Sequence, residues 1–200
     1  MDTITERTIV LVCMRHGLIN DSDEERLRTG NPDLDKRWAE KELPPVIERL
    51  RLIQFDDLLS GKLNRIYQTA YELRVALVRA GFQRLPPAYY HECLDAKTTL
   101  HEGVVYPEGV EEDLREYITQ AHTLLREIVR RNQGDVTALA VMSGAVMIAL
   151  RAIAQGRSFS SHEEMAAWAA NGNGVEVGEI WSFRYTPKNG KLEEVPFGEW

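Results

Sequence analysis

Cysteine is scarce: Cys13 and Cys93 are the two in 200 residues, too few for a disulfide framework and without metal-ligand spacing. Both are expected as reduced, mostly buried thiols in a reducing compartment. Long apolar runs are also missing. No stretch approaches the ~18 apolar residues of a membrane span, and residues 1–8, MDTITERT, carry acids and hydroxyls where a secretory leader would carry a basic segment and an apolar run. The expected localisation is cytoplasmic, with no membrane partner. Positive charge is in deficit: 24 Lys and Arg stand against 31 Asp and Glu, for a formal charge of -7 and an isoelectric point near 5.3. That balance argues against the basic face required by a nucleic-acid or anionic-membrane partner. A small anionic ligand needs only a few local cations and stays open. Internal repeats, low-complexity segments and linkers are lacking, so residues 1–200 read as one domain.

What is present alternates strands with helices. Residues 8–14 (TIVLVCM) form a continuous apolar, β-branched run suited to a strand buried on both faces. A polar stretch follows through residue 35, punctuated by Gly30 and Pro32, and reads as a long surface loop. Pro44 and Pro45 can open a helix carrying Val46, Leu50 and Ile53 at helical spacing. Another helix spans residues 64–80, with Ile66, Ala70, Leu73 and Leu77 on one face and Gly81 as its C-cap. Residues 110–131 give an amphipathic helix ended by Gly134; residues 136–142 (VTALAVM) give a second buried strand, followed directly by a helix over 144–155. A third strand over 179–185 precedes PKNG and KLEEV, where Asn189-Gly190 signals a hairpin. The pattern predicts a three-layer α/β sandwich, with a mostly parallel central sheet, helices on both faces and a hairpin at one edge.

The first strand ends in Arg15-His16-Gly17. Ligands in open α/β sheets bind outside the carboxyl ends of strands, so this tripeptide delivers a cation and an imidazole to the usual site, and Gly17 lets backbone or ligand come close. Elsewhere in a chain, an Arg-His pair is more often a surface accident or a structural hydrogen-bonder.

The segment LVCMRHG resembles the signature with which the histidine phosphatase superfamily (phosphoglycerate mutase-like) begins. Later segments match in the same order. RTGNPDLD, with Gly30 and Asp33, is similar to the glycine-aspartate segment of the phosphoglycerate mutase branch. RIYQTA, residues 65–70, is similar to the family's helix start, Arg-Ala-x-Gln-Thr-Ala. Pro107-Glu-Gly109 resembles a weaker proline-glycine element, and VTALAVMSGAVMIAL has the outline of the strand and helix that carry the family's second histidine. The resemblance spans residues 8–185.

It implies a phosphoglycerate mutase-like fold in which His16 takes a phosphoryl group as a phosphohistidine, with no metal and no cofactor. A neutral imidazole can attack phosphorus through one ring nitrogen while a backbone acceptor holds the other. Arg15 and Arg65 supply planar, permanently charged forks for phosphate oxygens. The resemblance places the proton donor at Asp95, with Glu92 and Glu102 as alternatives, and any such acid needs a raised pKa. Asn20, in competition with Ser22, is the expected polar contact to phosphate, beside Gly17 and Gly144.

The departure lies at Ser143, which stands where the family carries its second histidine. A neutral hydroxyl is shorter and a weaker donor than imidazolium; by analogy with deleting one preorganised donor, the change costs on the order of 3 kcal/mol of transition-state stabilisation. His91, His101 and His162 are candidate substitutes. His101 is the best located, whereas His162 follows SFSS and reads as a helix start; His122 reads as a solvated or packing residue. Trp168, Trp181 and Trp200 read as packing residues.

The leading functional expectation is a slow or atypical phosphomonoester hydrolase acting on a small phosphorylated substrate. Mutase activity is disfavoured, because phosphoryl retention and return would suffer without the second histidine. The alternatives are a degenerate member that binds an anion or a protein partner without turnover, and a pocket turned to non-phosphoryl chemistry, although no Ser-His-Asp arrangement is recognisable. Oligomeric state is not encoded legibly; a homodimer is compatible with the sequence.

Overall fold

A strand that is apolar along its whole length must be covered on both faces, and β1 (Ile9–Arg15) is. In the computed structural model, which describes residues 7–19, 33–82, 85–95 and 114–200, its side chains alternate between two cores. Ile9, Leu11 and Cys13 enter one apolar cluster, while Val10, Val12 and Met14 enter the other. The first cluster is closed by α4 (Leu114–Arg131), α5 (Gly144–Ala154) and α6 (His162–Trp168), and the second by α1 (Lys36–Lys41), α2 (Leu43–Leu50) and α3 (Asn64–Arg79). The expected three layers are therefore present.

With β2 (Asp57–Ser60), β3 (Tyr89–Tyr90), β4 (Val136–Met142), β5 (Ile180–Thr186) and β6 (Lys191–Val195), the sheet order is β3-β2-β4-β1-β5-β6. The pairs β3/β2, β2/β4 and β4/β1 are parallel; β5 runs antiparallel to β1, and β6 to β5. Arg15 lies opposite Met142, and Ser60 opposite Val141, so the parallel strands finish together at one edge of the molecule. The hairpin expected at Asn189-Gly190 joins β5 to β6, with Gly190 at φ 68° in the left-handed region its turn requires.

Three elements fall outside the strands and helices that the sequence makes legible. β2 is four residues opening on Asp57, β3 is a tyrosine pair, and α1 is a six-residue helix capped by the Asp35 carboxylate on the Arg37 amide. None is long enough for periodicity to register. Tertiary contacts hold them instead. The Asp57 carboxylate accepts two hydrogen bonds, each 3.1 Å, from the Arg131 guanidinium at the end of α4, and Trp38 of α1 is buried in the second core.

Candidate active site

Buried polar side chains are the informative exceptions in an apolar interior, and here most of them gather where the parallel strands end. His16, Ser60, Arg65, Thr69, Asp95 and Ser143 are all buried in that region. The backbone fixes the first of them from both sides: the His16 amide donates to the Met142 carbonyl of β4, and the Arg15 amide to the Glu179 carbonyl, each at 3.1 Å.

The ring of His16 has its protonation pattern set by its partners. Nδ1 lies 2.8 Å from the Gly17 carbonyl oxygen. A carbonyl can only accept, so Nδ1 carries a proton. Arg65 Nε, which can only donate, lies 3.3 Å from Nε2, so Nε2 holds the lone pair of a neutral imidazole. Arg65 is fully buried in the first turn of α3, so a permanent positive charge stands beside His16 Nε2, shielded from solvent.

The remaining residues of RIYQTA divide their work around the helix. Ile66 and Ala70 face the second core. Gln68 accepts from the Leu34 amide at 2.6 Å and donates to Asp33 at 2.9 Å, and Asn64 donates to the same Asp33 oxygen at 3.1 Å. The chain segment at 33–34 is thus tied to the helix that carries Arg65. Leu34 and Trp38 in turn pack so closely on Gly17 that a Cβ there would enter both side chains. Gly17→Ala is therefore expected to destabilise the fold by about 1–3 kcal/mol through overpacking. Urea unfolding checks this; an unchanged midpoint would contradict it.

Arg15 leaves β1 through a narrow passage. Its guanidinium donates to the Val175 carbonyl; a Cβ on Gly144 would stand 3.2 Å from Arg15 Nε and 3.1 Å from Val175 Cγ1, tight enough that both side chains would have to shift slightly. Burial pulls the Arg15 pKa down while Glu176 and Glu179 push it back up. Glu179 is itself held by the Trp181 indole N–H at 2.7 Å and the Glu176 amide at 2.6 Å.

Asp95 follows the short 3-10 turn Glu92–Leu94. One carboxylate oxygen accepts from the Lys62 amide at 2.9 Å and the other from the Leu63 amide at 3.0 Å, so Asp95 anchors the entry to α3, where Gly61 leaves room for it. Its pKa is raised, chiefly by burial, against the opposing pull of those two amides and of the Arg65 charge. A raised folded-state pKa means that ionising Asp95 costs stability. The contribution is full below the ordinary value of 3.8 and is lost as pH rises through the raised one. The stability of the wild type relative to Asp95→Asn is thus expected to fall as pH rises across that window. Denaturant unfolding at a series of pH values reads it; a difference that grows with pH would contradict it.

Solved structures with this arrangement of elements include a phosphoglycerate mutase from Bacillus anthracis (TM-score 0.65, 14% identity, covering 96% of this chain and 93% of that one). The mycobacterial glucosyl-3-phosphoglycerate phosphatase superposes with a TM-score of 0.64 at 18% identity, over 94% of this chain and 97% of its own. A phosphoserine phosphatase from Entamoeba histolytica in complex with 3-phosphoglyceric acid gives 0.61 at 14%, over 96% and 98%. This chain has the phosphoglycerate mutase-like fold. No protein-family model matches the sequence, and neither does any curated protein sequence.

Within this phosphoglycerate mutase-like fold, Ser143 sits one residue beyond β4. Its amide donates to the Leu94 carbonyl at 2.9 Å, and its hydroxyl caps α5 by accepting from the Val146 amide at 3.4 Å. His16, Arg15, Arg65, Gly17, Ser143 and Gly144 all belong to this end of the sheet, and Asp95 is bonded to the loop that leads into Arg65. His91 caps its own turn: its Nδ1 accepts from the Cys93 amide at 3.1 Å. Glu92 is exposed, as is His122. His162 opens α6 behind the Ser161 cap. Asn20, Ser22, Gly30, His101 and Glu102 lie outside the described residues. Among the described residues no group of three His, Cys, Asp or Glu side chains is placed to hold a metal ion, and no helix is long and apolar enough to cross a membrane.

Trp38 and the 175–179 segment are contributors that sequence reasoning does not single out. Neither carries a local signal, since Trp38 follows a polar run and VEVGE resembles any connecting loop.

Proposed function

We propose that this protein is a phosphomonoester hydrolase that works through a phosphohistidine at His16 and needs no metal. The observation that carries the reading is the His16 ring: Nδ1–H bonded to the Gly17 carbonyl, with the Nε2 lone pair beside Arg65. Nε2 attacks phosphorus as the bond from phosphorus to the ester oxygen breaks. The ring gains positive charge, which the Gly17 carbonyl stabilises at Nδ1–H, and Arg65 shifts from the ring nitrogen to the phosphoryl oxygens, with Arg15 as the second fork. Phosphoryl transfer asks mainly for this positioning and charge stabilisation.

Asp95 is the proton donor of this scheme. Among the described residues each of its two oxygens receives one backbone N–H, and burial raises its pKa, the direction that a proton donor to the leaving alkoxide requires. The resulting carboxylate then takes a proton from water, whose oxygen attacks phosphorus, breaks the N–P bond and releases inorganic phosphate. Asn20, Gly17, Ser143, Gly144 and His101 are the proposed substrate contacts. The phosphatases named among the solved structures support a small phosphorylated metabolite as the substrate class.

A second reading rests on Ser143 and Asp95, whose oxygens are engaged with backbone amides: a protein that binds phosphorylated anions without turning them over. Hydrolysis of an aryl phosphate and a panel of phosphorylated metabolites in the presence of a chelator separates the two. Saturable phosphate release supports the hydrolase. Calorimetric binding of phosphate without release would favour the second reading.

A further inference from the structure

The hydroxyl of Thr69 lies between the two residues on which the proposed chemistry depends. The Gly17 amide donates to Thr69 Oγ1 at 3.0 Å, and the same hydroxyl donates its hydrogen to the Arg65 carbonyl at 2.6 Å. The side chain is fully buried. Donation to the carbonyl four residues back is a familiar local habit of threonine in helices. The incoming bond from Gly17, 52 residues away in sequence, is not.

We infer that Thr69 is a positioning residue that holds the His16 nucleophile and the Arg65 guanidinium in register, an inference that rests on the proposed phosphohistidine reading. The chain of contacts is short. Gly17 supplies the carbonyl that keeps the proton on His16 Nδ1, and its own N–H is held by Thr69. Leu34 and Trp38 cover its Cα but make no hydrogen bond to its N–H, so that N–H is oriented by Thr69. The carbonyl on which Thr69 closes is that of Arg65, whose side chain reaches His16 Nε2. One hydroxyl therefore spans the end of β1 and the first turn of α3. Without it the N–H of the His16–Gly17 peptide loses its acceptor, and rotation about φ and ψ of Gly17, which has no Cβ to restrict it, carries the next carbonyl off Nδ1, so the nitrogen facing Arg65 is no longer uniformly the one with the lone pair. Catalysis is sensitive to displacements of this kind even when binding is not.

Thr69→Val keeps the volume and removes both donor and acceptor, whereas Thr69→Ser keeps the hydroxyl. Proton–nitrogen correlation spectra of the His16 ring in nitrogen-labelled protein read the tautomer directly, without requiring turnover. The wild type and Thr69→Ser are expected to show Nδ1 protonated, and Thr69→Val a mixture of tautomers, with kcat toward an aryl phosphate lowered about 10- to 100-fold at nearly constant KM and restored in Thr69→Ser. An unchanged His16 tautomer in folded Thr69→Val would overturn the inference. Should that variant fail to fold, exchange of the Gly17 amide in the wild type decides: strong protection supports the bond, and exchange at the rate of an open loop overturns it. A wild type that shows the Nδ1–H tautomer but hydrolyses nothing would count against the hydrolase reading alone.

Discussion

Replacing His16 by alanine is expected to lower phosphate release by about a thousandfold or more, since a covalent route that loses its nucleophile retains only the binding and charge stabilisation of the residual site. Arg65 and Arg15 stay behind in the variant, so phosphate should still bind. The fold should survive, because the elements that end at the site are held by β-pairing and by two apolar cores that do not include His16. Loss of a buried ring and its bond to Gly17 is expected to cost about 1–3 kcal/mol, an ordinary figure for a buried substitution. Thermal unfolding beside the assay separates the two effects. A variant with native-like melting and near-wild-type release would remove His16 from the mechanism.

The opposite experiment is Ser143→His. The serine stands at the C-terminal end of β4, beside the β1 end whose amide at His16 bonds to Met142. Installing an imidazole there would supply a cationic donor to the transferring group, and kcat is expected to rise by about 10²- to 10³-fold, the reverse of deleting one preorganised donor. The stability cost has two parts, a ring placed at a buried position, about 1–3 kcal/mol, and the lost cap. The capping bond from Val146 is long, at 3.4 Å, and a lost N-cap typically costs about 1 kcal/mol. Single-turnover rates with an aryl phosphate measure the gain. A rate equal to that of the wild type would mean that another group already occupies the donor's place.

How much of this was legible in the sequence follows from the length scale of each signal. β1, β4 and α3 could be read because buried strands and amphipathic helices of seven residues or more repeat their pattern often enough to register. The candidates Arg15, His16 and Arg65 come from the tripeptide at a strand end and from RIYQTA, and the structure brings both segments to the same edge of the sheet. The rest depends on long-range contacts. Trp38 matters because Gly17 comes to rest on it, β2 because β4 lies beside it, and Thr69 because an amide 52 positions earlier reaches its hydroxyl. Asp95 is expected from the sequence as a donor carboxyl in its loop, but its attachment to the Lys62 and Leu63 amides is not legible there. Spacing along the chain carries no information about where a carboxylate finds its donors.

The central claim is a covalent bond between His16 and phosphorus, and rapid quenching under base, followed by intact-mass measurement and peptide mapping, tests it most directly. The account predicts a transient gain of one phosphoryl group, mapped to His16, stable in base, labile in acid and absent from His16→Ala. Steady phosphate release with no such adduct at any time, or an adduct on another residue, would contradict it.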